Sequence, residues 1–240
     1  MTHRPIVPGV DFHHSDSIAL MKLWSREGVR TKLLLSDPPY GARWVAAGQK
    51  AIANDENPYR AAQDFLPPMA SLLDDNAWLL LFCRIDLAPI WEGEMRWLGL
   101  TVLPYYQWDK RSAFHIEMNI RREVLLVACR GTPARYINDG ATVLAYDRVT
   151  RPEIVSATPT AKPVSMLRYL IEKYSEPGDL IIDPCAGIAP IGEAALGCGR
   201  QYLGVELEEP RALVATERLR AEARLVAARA LHRAAIPLAA

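Results

Sequence analysis

Two stretches of this 240-residue chain carry side chains whose types and spacing can do chemistry. The first is Asp37-Pro38-Pro39-Tyr40-Gly41, directly after the apolar run Leu33-Leu34-Leu35-Ser36. A carboxylate at the carboxyl end of a buried strand points into the crevice where open α/β sheets bind ligands. The two prolines fix φ and remove two backbone donors, which leaves carbonyls to accept. Asp37 together with the carbonyl of Ser36 or Pro38 suits the two N–H bonds of a planar exocyclic amine, and Tyr40 offers a face on which a base taken out of a duplex can stack. The plainer alternative is a proline-rich turn with a capping Asp. The second stretch is Asp183-Pro184-Cys185-Ala186-Gly187, a strand end with a glycine turn, followed by a helix, a second strand and then Glu206, 19 residues after the glycine. In nucleotide-binding folds such a turn lets the backbone approach the ligand, and the acid accepts from ribose hydroxyls. The turn is not G-x-G-x-x-G, which disfavours a pyrophosphate and suits a ligand with adenosine but no phosphate there. Gly187 as a simple strand-to-helix turn and Glu206 as a helix-start acid remain open.

These residues need a sheet to hold them. Lys32–Ser36, Trp78–Cys83, Leu100–Tyr106, Val124–Cys129, Leu180–Ile182 and Gln201–Val205 are short, continuous apolar runs, the pattern of strands covered on both faces. Helical spacing lies between them, over Ser17–Ser25, Pro58–Leu73, Pro163–Tyr174, Ile191–Leu196 and Pro210–Leu231. Strands alternating with helices predict an α/β fold, a doubly wound, mostly parallel sheet with helices on both faces. The polar stretch 140–160 reads as an ordered loop or a hinge between two halves. We expect one domain over 1–240, with a catalytic half at about 10–135, inserts within about 42–60 and 111–160, a second half at about 160–220, and a helical tail at 210–235.

Composition bounds the rest. The chain has 28 basic and 28 acidic side chains, so it is not a globally cationic binder, although a local basic face is possible. Of the 28 basic residues 22 are Arg. The segment 105–135 carries Lys110, Arg111, Arg121, Arg122, Arg130 and Arg135 against Asp109, Glu117 and Glu123, a net of +3, and the tail 211–233 has a net of +4. Residues 54–75 carry a net of −4. The longest apolar run, Ala77–Cys83, has seven residues, too short to span a bilayer. No apolar leader core opens the chain, and the four cysteines form no C-x-x-C pair, so a cytoplasmic protein with free thiols is expected. The five histidines make no metal spacing with them, so no metal is expected.

Taken in order, these segments resemble a known family, the amino-methyltransferases that methylate adenine N6 or cytosine N4 in DNA with S-adenosylmethionine. Leu34 to Gly41 resembles the catalytic motif, and Tyr105 to Lys110 and Arg122 to Val127 resemble two later strands. Pro159-Thr160-Ala161-Lys162-Pro163 is similar to the segment beside the cofactor's methionine part. Asp183 to Gly187 resembles the cofactor turn, and Gly204-Val205-Glu206 the strand ending in the ribose acid. Ile52-Ala53-Asn54-Asp55 is similar to a segment of phage-type members. The likeness covers roughly residues 10–220, with the catalytic motif before the cofactor turn, the order of the β group. The family usually has Phe where this chain has Cys185, and a Ser-Gly-Thr-Thr-like run where it has Ile188-Ala189-Pro190-Ile191.

The resemblance implies a Rossmann-like S-adenosylmethionine-dependent methyltransferase, encoded by a bacterium or phage and associated with restriction–modification. It acts on a flipped base in double-stranded DNA, with adenine N6 favoured because cytosine members more often have Ser at the position of Asp37. Asp37, Pro38, Pro39 and Tyr40 form the catalytic set. Asp16, Lys162, Asp183, Cys185, Ala186, Gly187 and Glu206 form the cofactor set, and Lys110, Arg111, Arg121 and Arg122 meet DNA. Asp16 serves the cofactor's adenine amine, caps the helix that follows it, or does both. Lys162 reaches the cofactor's carboxylate or is a surface lysine, and Trp108 is core or lines the DNA channel. The tail covers the sheet, pairs with another subunit or lies on DNA. The short inserts imply a short recognition sequence or a homodimer. Cytosine N4, RNA or protein amines, and a non-catalytic binding module are the alternatives.

Overall fold

Leu33, Leu34 and Leu35 are fully buried, which a strand permits only when both of its faces are covered. In the computed structural model, which describes residues 6–42, 53–110, 122–134, 136–137, 139–151, 154, 158 and 160–235, these leucines lie in β2 (Thr31–Ser36) of an eight-stranded sheet. The other strands are β1 (Val10–His14), β3 (Leu73–Cys83), β4 (Thr101–Asp109), β5 (Arg122–Arg130), β6 (Val143–Ala145), β7 (Leu180–Asp183) and β8 (Gln201–Glu206). Their order is β1-β8-β7-β2-β3-β5-β4-β6. All pairings are parallel except the two made by β5.

Among the described residues six helices cover the two faces. On one side α1 (Ser17–Arg26), α2 (Pro58–Ser71) and α3 (Ala88–Trp97) bury Met21, Trp24, Phe65, Met69, Trp91 and Met95 against Leu34, Leu79 and Leu81. On the other, α4 (Val164–Tyr174), α5 (Pro190–Gly197) and α6 (Glu209–Ala235) bury Met166, Leu170, Ile171, Ala194 and Leu219 against Leu33, Leu35 and Leu80. The side chains of β2 thus alternate between two cores, as the period of a strand requires. The expected α/β fold with a doubly wound sheet is present. Asp16 caps α1, its side chain accepting from the Ala19 amide at 3.0 Å, and Asn57 caps α2 through the Tyr59 and Arg60 amides.

Several elements differ from the sequence expectations. The strand β1 and the helix α3 were not anticipated, because β1 mixes Asp and His with apolar residues and α3 has a broken apolar stripe. The strand expected over Leu100–Tyr106 is shifted and longer, since its pairing with β5 runs on to Asp109 opposite Arg122. The stretch 140–160 is not all loop: Val143–Ala145 pairs with β4 and closes that edge. Trp108 is core, and its indole N–H donates to the Tyr146 carbonyl at 2.8 Å. Residues 43–52 and 111–120, the middle of the expected inserts, lie outside the described residues. No helix among the described residues is long and apolar enough to cross a membrane.

The tail helix α6 packs on α5, β1 and β8 through Ala212, Ala215 and Leu219, then runs past the sheet. Leu219 is 0% exposed, whereas Leu225 is 51% exposed. Leu219→Ala is therefore expected to cost about 2–5 kcal/mol in urea unfolding, and Leu225→Ala to stay within about 0.5 kcal/mol. An equally large loss at Leu225 would mean that a surface outside this chain covers the far end of the tail.

Candidate active site

The two chemical stretches meet because β2 and β7 are neighbours whose connections leave in opposite directions, β2 toward β3 and β7 toward β8. That is the switch point of an open α/β sheet, where a crevice forms outside the carboxyl ends. Ser36 at the end of β2 donates its hydroxyl to Asp183 Oδ1 at 2.7 Å, joining positions 147 residues apart. Asp183 also accepts from the Cys185 amide at 3.3 Å and, through Oδ2, from the Tyr202 hydroxyl at 3.3 Å. It is completely buried, and burial, reinforced by the charge of Asp37, pushes its carboxyl up to about 7.

After Asp183 the chain makes a tight turn. Gly187 has φ +55°, and the space where a Cβ would sit is open. Its amide donates to Glu206 Oε2 at 2.7 Å, and Glu206 Oε1 accepts from the Glu208 amide at 2.8 Å. The Ala186 amide donates to the Val205 carbonyl, and the Cys185 thiol is held neutral by burial. Ala189 has a left-handed backbone with φ +55° and ψ +47°, and its amide bonds to the Ala186 carbonyl at 2.7 Å. A left-handed alanine carries a strain of about 1–2 kcal/mol. Asp16 follows β1, whose last residue His14 lies opposite Glu206, so the two expected cofactor acids stand at adjacent strand ends.

Around Asp37 the structure assembles four charges in a row. Lys162 Nζ lies 2.5 Å from Asp37 Oδ2 and 3.1 Å from Glu123 Oε2, and Lys110 Nζ lies 2.5 Å from Glu123 Oε1. Lys162 is 2% exposed, with its ammonium 4.9 Å from the Phe82 ring centre and 5.9 Å from that of Trp108. Glu123 reaches this end of the sheet because β5 runs against its neighbours, so the start of β5 meets the ends of β3 and β4. Burial lifts the Asp37 carboxyl above its usual value against the pull of Lys162, with the Glu123 charge adding to the rise. Burial also acts on Glu123, but Lys162 and Lys110 outweigh it and hold that carboxyl low. Lys162 stays charged, because the two carboxylates overcome its burial. Asp37 Oδ1 is buried and has no hydrogen-bond partner among the described residues.

The loop after Asp37 is pinned from below. Asp55 Oδ1 accepts from the Gly41 amide at 2.7 Å and the Ala42 amide at 2.9 Å, and the Tyr40 carbonyl accepts from the Trp91 indole at 3.4 Å. The Tyr40 phenol is kept neutral chiefly by burial and then by the Glu123 and Asp37 charges.

The structure therefore joins Asp37, Tyr40, Lys162, Asp183, Cys185, Ala186, Gly187, Glu206 and Asp16 around one crevice. Lys110 is also there, turned onto Glu123. Arg111 and Arg121 lie outside the described residues, and only the backbone of Arg122 is described. Glu123 and Asp55 were not anticipated as site residues; the one available signal was an acid heading the otherwise apolar run Val124–Cys129. Among the described residues no group of three or more His, Cys, Asp and Glu is placed to hold a metal.

Two variants test this geometry. A Cβ at Gly41, which has φ +81°, would sit 2.2 Å from the backbone of Pro58, so Gly41→Ala is expected to cost about 2 kcal/mol or more in thermal unfolding. Asp183 holds its proton up to about pH 7 in the fold against 3.8 ordinarily, so its contribution to stability falls as pH rises between those values. Asp183→Asn removes that fall and should gain on the parent from about pH 4 to 7 in urea titrations. A constant difference between the two proteins across that range would contradict the raised carboxyl.

Comparison with known proteins bears on the fold and the family. YubD of Escherichia coli K12 is 26% identical over 218 residues, covering 88% of this chain and 90% of its own length. The crystal structure of an M1.HpyAVI–SAM complex superposes with a TM-score of 0.71 at 18% identity, covering 87% of this chain and 98% of that one. PvuII DNA methyltransferase, titled cytosine-N4-specific, superposes with a TM-score of 0.69 at 13% identity, covering 92% of each chain. These superpositions match the fold of the S-adenosylmethionine-dependent methyltransferases. The N6/N4 family described as DNA methylase matches residues 31–217. Since that span holds the Asp37 turn, the four-charge row and the Gly187 turn, this chain belongs to the N6/N4 DNA methylase family.

Proposed function

We propose that this protein transfers a methyl group from S-adenosylmethionine to the N6 amine of adenine in double-stranded DNA, with the target base turned out of the duplex. The observation that carries the reading is Asp37 Oδ1, a buried acceptor without a partner among the described residues, beside the turn at Gly187. An unmet carboxylate oxygen in a crevice is costly unless a donor arrives. An exocyclic amine supplies one.

The residues present fit the cofactor. The open side of Gly187 admits a ligand against the backbone, and Glu206, with two oxygens each using one lone pair on amides, has further lone pairs for ribose hydroxyls. Asp16 stands nearby for an adenine amine and Asp183 beneath for an ammonium group. When bound, S-adenosylmethionine supplies a methyl group on a positively charged sulfur. The remaining work belongs to the chain. Asp37 Oδ1 accepts one N–H of the target amine, and a backbone carbonyl at Ser36 or Pro38 accepts the other. These bonds draw density onto the nitrogen and aim its lone pair. Tyr40, neutral and half-buried, stacks on the flipped ring. Neither a metal nor a covalent enzyme intermediate enters this scheme, and positioning with electrostatics accounts for the rate. Adenine is favoured over cytosine because Asp stands at position 37.

Asp37→Ala, checked by labelled methyl transfer to DNA, should lose activity by at least about 100-fold while calorimetry still detects S-adenosylmethionine binding. Transfer at the parent rate would refute the mechanism. Sequencing of modified bases in host DNA after expression should show N6-methyladenine. N4-methylcytosine there would overturn the base assignment alone, and label found in RNA or protein but not in DNA would overturn the substrate.

A further inference from the structure

Lys162 lies in the segment that the family resemblance sets beside the cofactor, yet its ammonium is fully engaged elsewhere. An ammonium has three donors. Here two acceptors bond it, Asp37 Oδ2 at 2.5 Å and the Thr160 carbonyl at 3.4 Å, and Glu123 Oε2 forms an ion pair with it at 3.1 Å. The Phe82 and Trp108 rings shield it from water, so these contacts act in a medium of low polarity. Asp37 contributes two oxygens, one spent on Lys162 and one left buried without a partner among the described residues.

We infer that Lys162 is a positioning residue for Asp37: it occupies Oδ2, keeps the carboxylate ionised, and turns Oδ1 alone toward the target amine, with Glu123 and Lys110 holding the ammonium in place. The inference rests on the reading of Asp37 as the amine acceptor. A protonated Asp37 would offer a donor where an acceptor is needed and would present either oxygen. Without Lys162, the carboxylates of Asp37 and Glu123 would face each other unscreened, and one would take up a proton. The four charges sum to zero, while Asp37 Oδ1 is left without a partner among the described residues.

The other groups around Asp37 do not replace this role. Tyr40 beside it, Cys83 at the end of β3 and Cys185 after β7 are all held in their neutral forms, chiefly by burial. Asp183 on β7 titrates near neutrality and can only add negative charge. Among the described residues Lys162 is the cation in contact with Asp37, and Lys110 acts through Glu123.

The test follows the Asp37 carboxyl carbon by NMR titration, assigned with Asp37→Asn, together with the pH profile of kcat for methyl transfer to DNA. Lys162→Met should raise the Asp37 pKa by about one unit or more, move the acid limb of kcat to higher pH by the same amount, and leave S-adenosylmethionine affinity within about threefold. Lys162→Arg should restore most of the shift. Glu123→Gln removes a negative neighbour and should move both readouts the opposite way. Should Lys162→Met fail to fold, the shift in Glu123→Gln decides. An unmoved Asp37 pKa in folded variants overturns the inference. So does a tenfold loss of S-adenosylmethionine affinity with an unmoved pKa, which would assign Lys162 to the cofactor. The NMR readout does not depend on turnover. A parent protein that transfers no methyl to DNA would sink the functional reading, while the titration still judges the ion pair.

Discussion

A carboxylate flanked by low-polarity surroundings constrains everything near Asp37. Burial pushes it toward its neutral form, in which one oxygen becomes a donor and the acceptor that remains is weaker. The answer in this fold is a row of alternating charges, Asp37, Lys162, Glu123 and Lys110, drawn from four separate places in the chain. Such a row tolerates no missing member. Removing one partner of a buried pair typically costs several kcal/mol, because the survivor is left desolvated and unpaired. The strand directions follow from the same demand. Only a strand running against its neighbours delivers its first residues to the crevice end, and β5 is the one that does so.

The second constraint is adjacency. The Asp37 and Gly187 turns are remote in sequence but follow neighbouring strands, and the Ser36–Asp183 hydrogen bond ties them beneath the crevice. The Asp37 and Gly187 turns are thus fixed to adjacent strands of one sheet. Loops complete the site from the sides. Asp55 anchors the Gly41 turn from outside the sheet, which gives the Asn54-Asp55 segment a structural reason for its place in the chain.

Much of this was legible in the residues. Continuous apolar runs announced strands buried on both faces, and Asp37, Gly187 and Glu206 stand where those runs predicted, at strand ends. What escaped was set by contacts that local pattern does not encode. The strand β1 is an edge strand with one neighbour, so its alternation is diluted by Asp11, His13 and His14. The helix α3 buries only Ala88, Trp91 and Met95 and carries no strong capping signal. Glu123 looked like one acid among several because its meaning depends on β5 being reversed, a property of topology. Lys162 was visible as a site residue, but its partner was not, since position 37 lies 125 residues away.

The four-charge row also decides what ionic strength can reach. Mobile ions screen exposed charges over roughly 8–10 Å at ordinary salt but act weakly on pairs withdrawn from solvent. Lys162 is withdrawn in this way and its partner Asp37 is three-quarters covered, whereas contacts to phosphates on a polymer lie in solvent. Salt therefore separates two parts of the reaction that a single turnover number blends together. On the proposed reading, added ions loosen the grip on DNA while the Asp37–Lys162 pair, largely covered, responds less. A chain of zero net charge would then be tuned by salt at its surface more than at this pair.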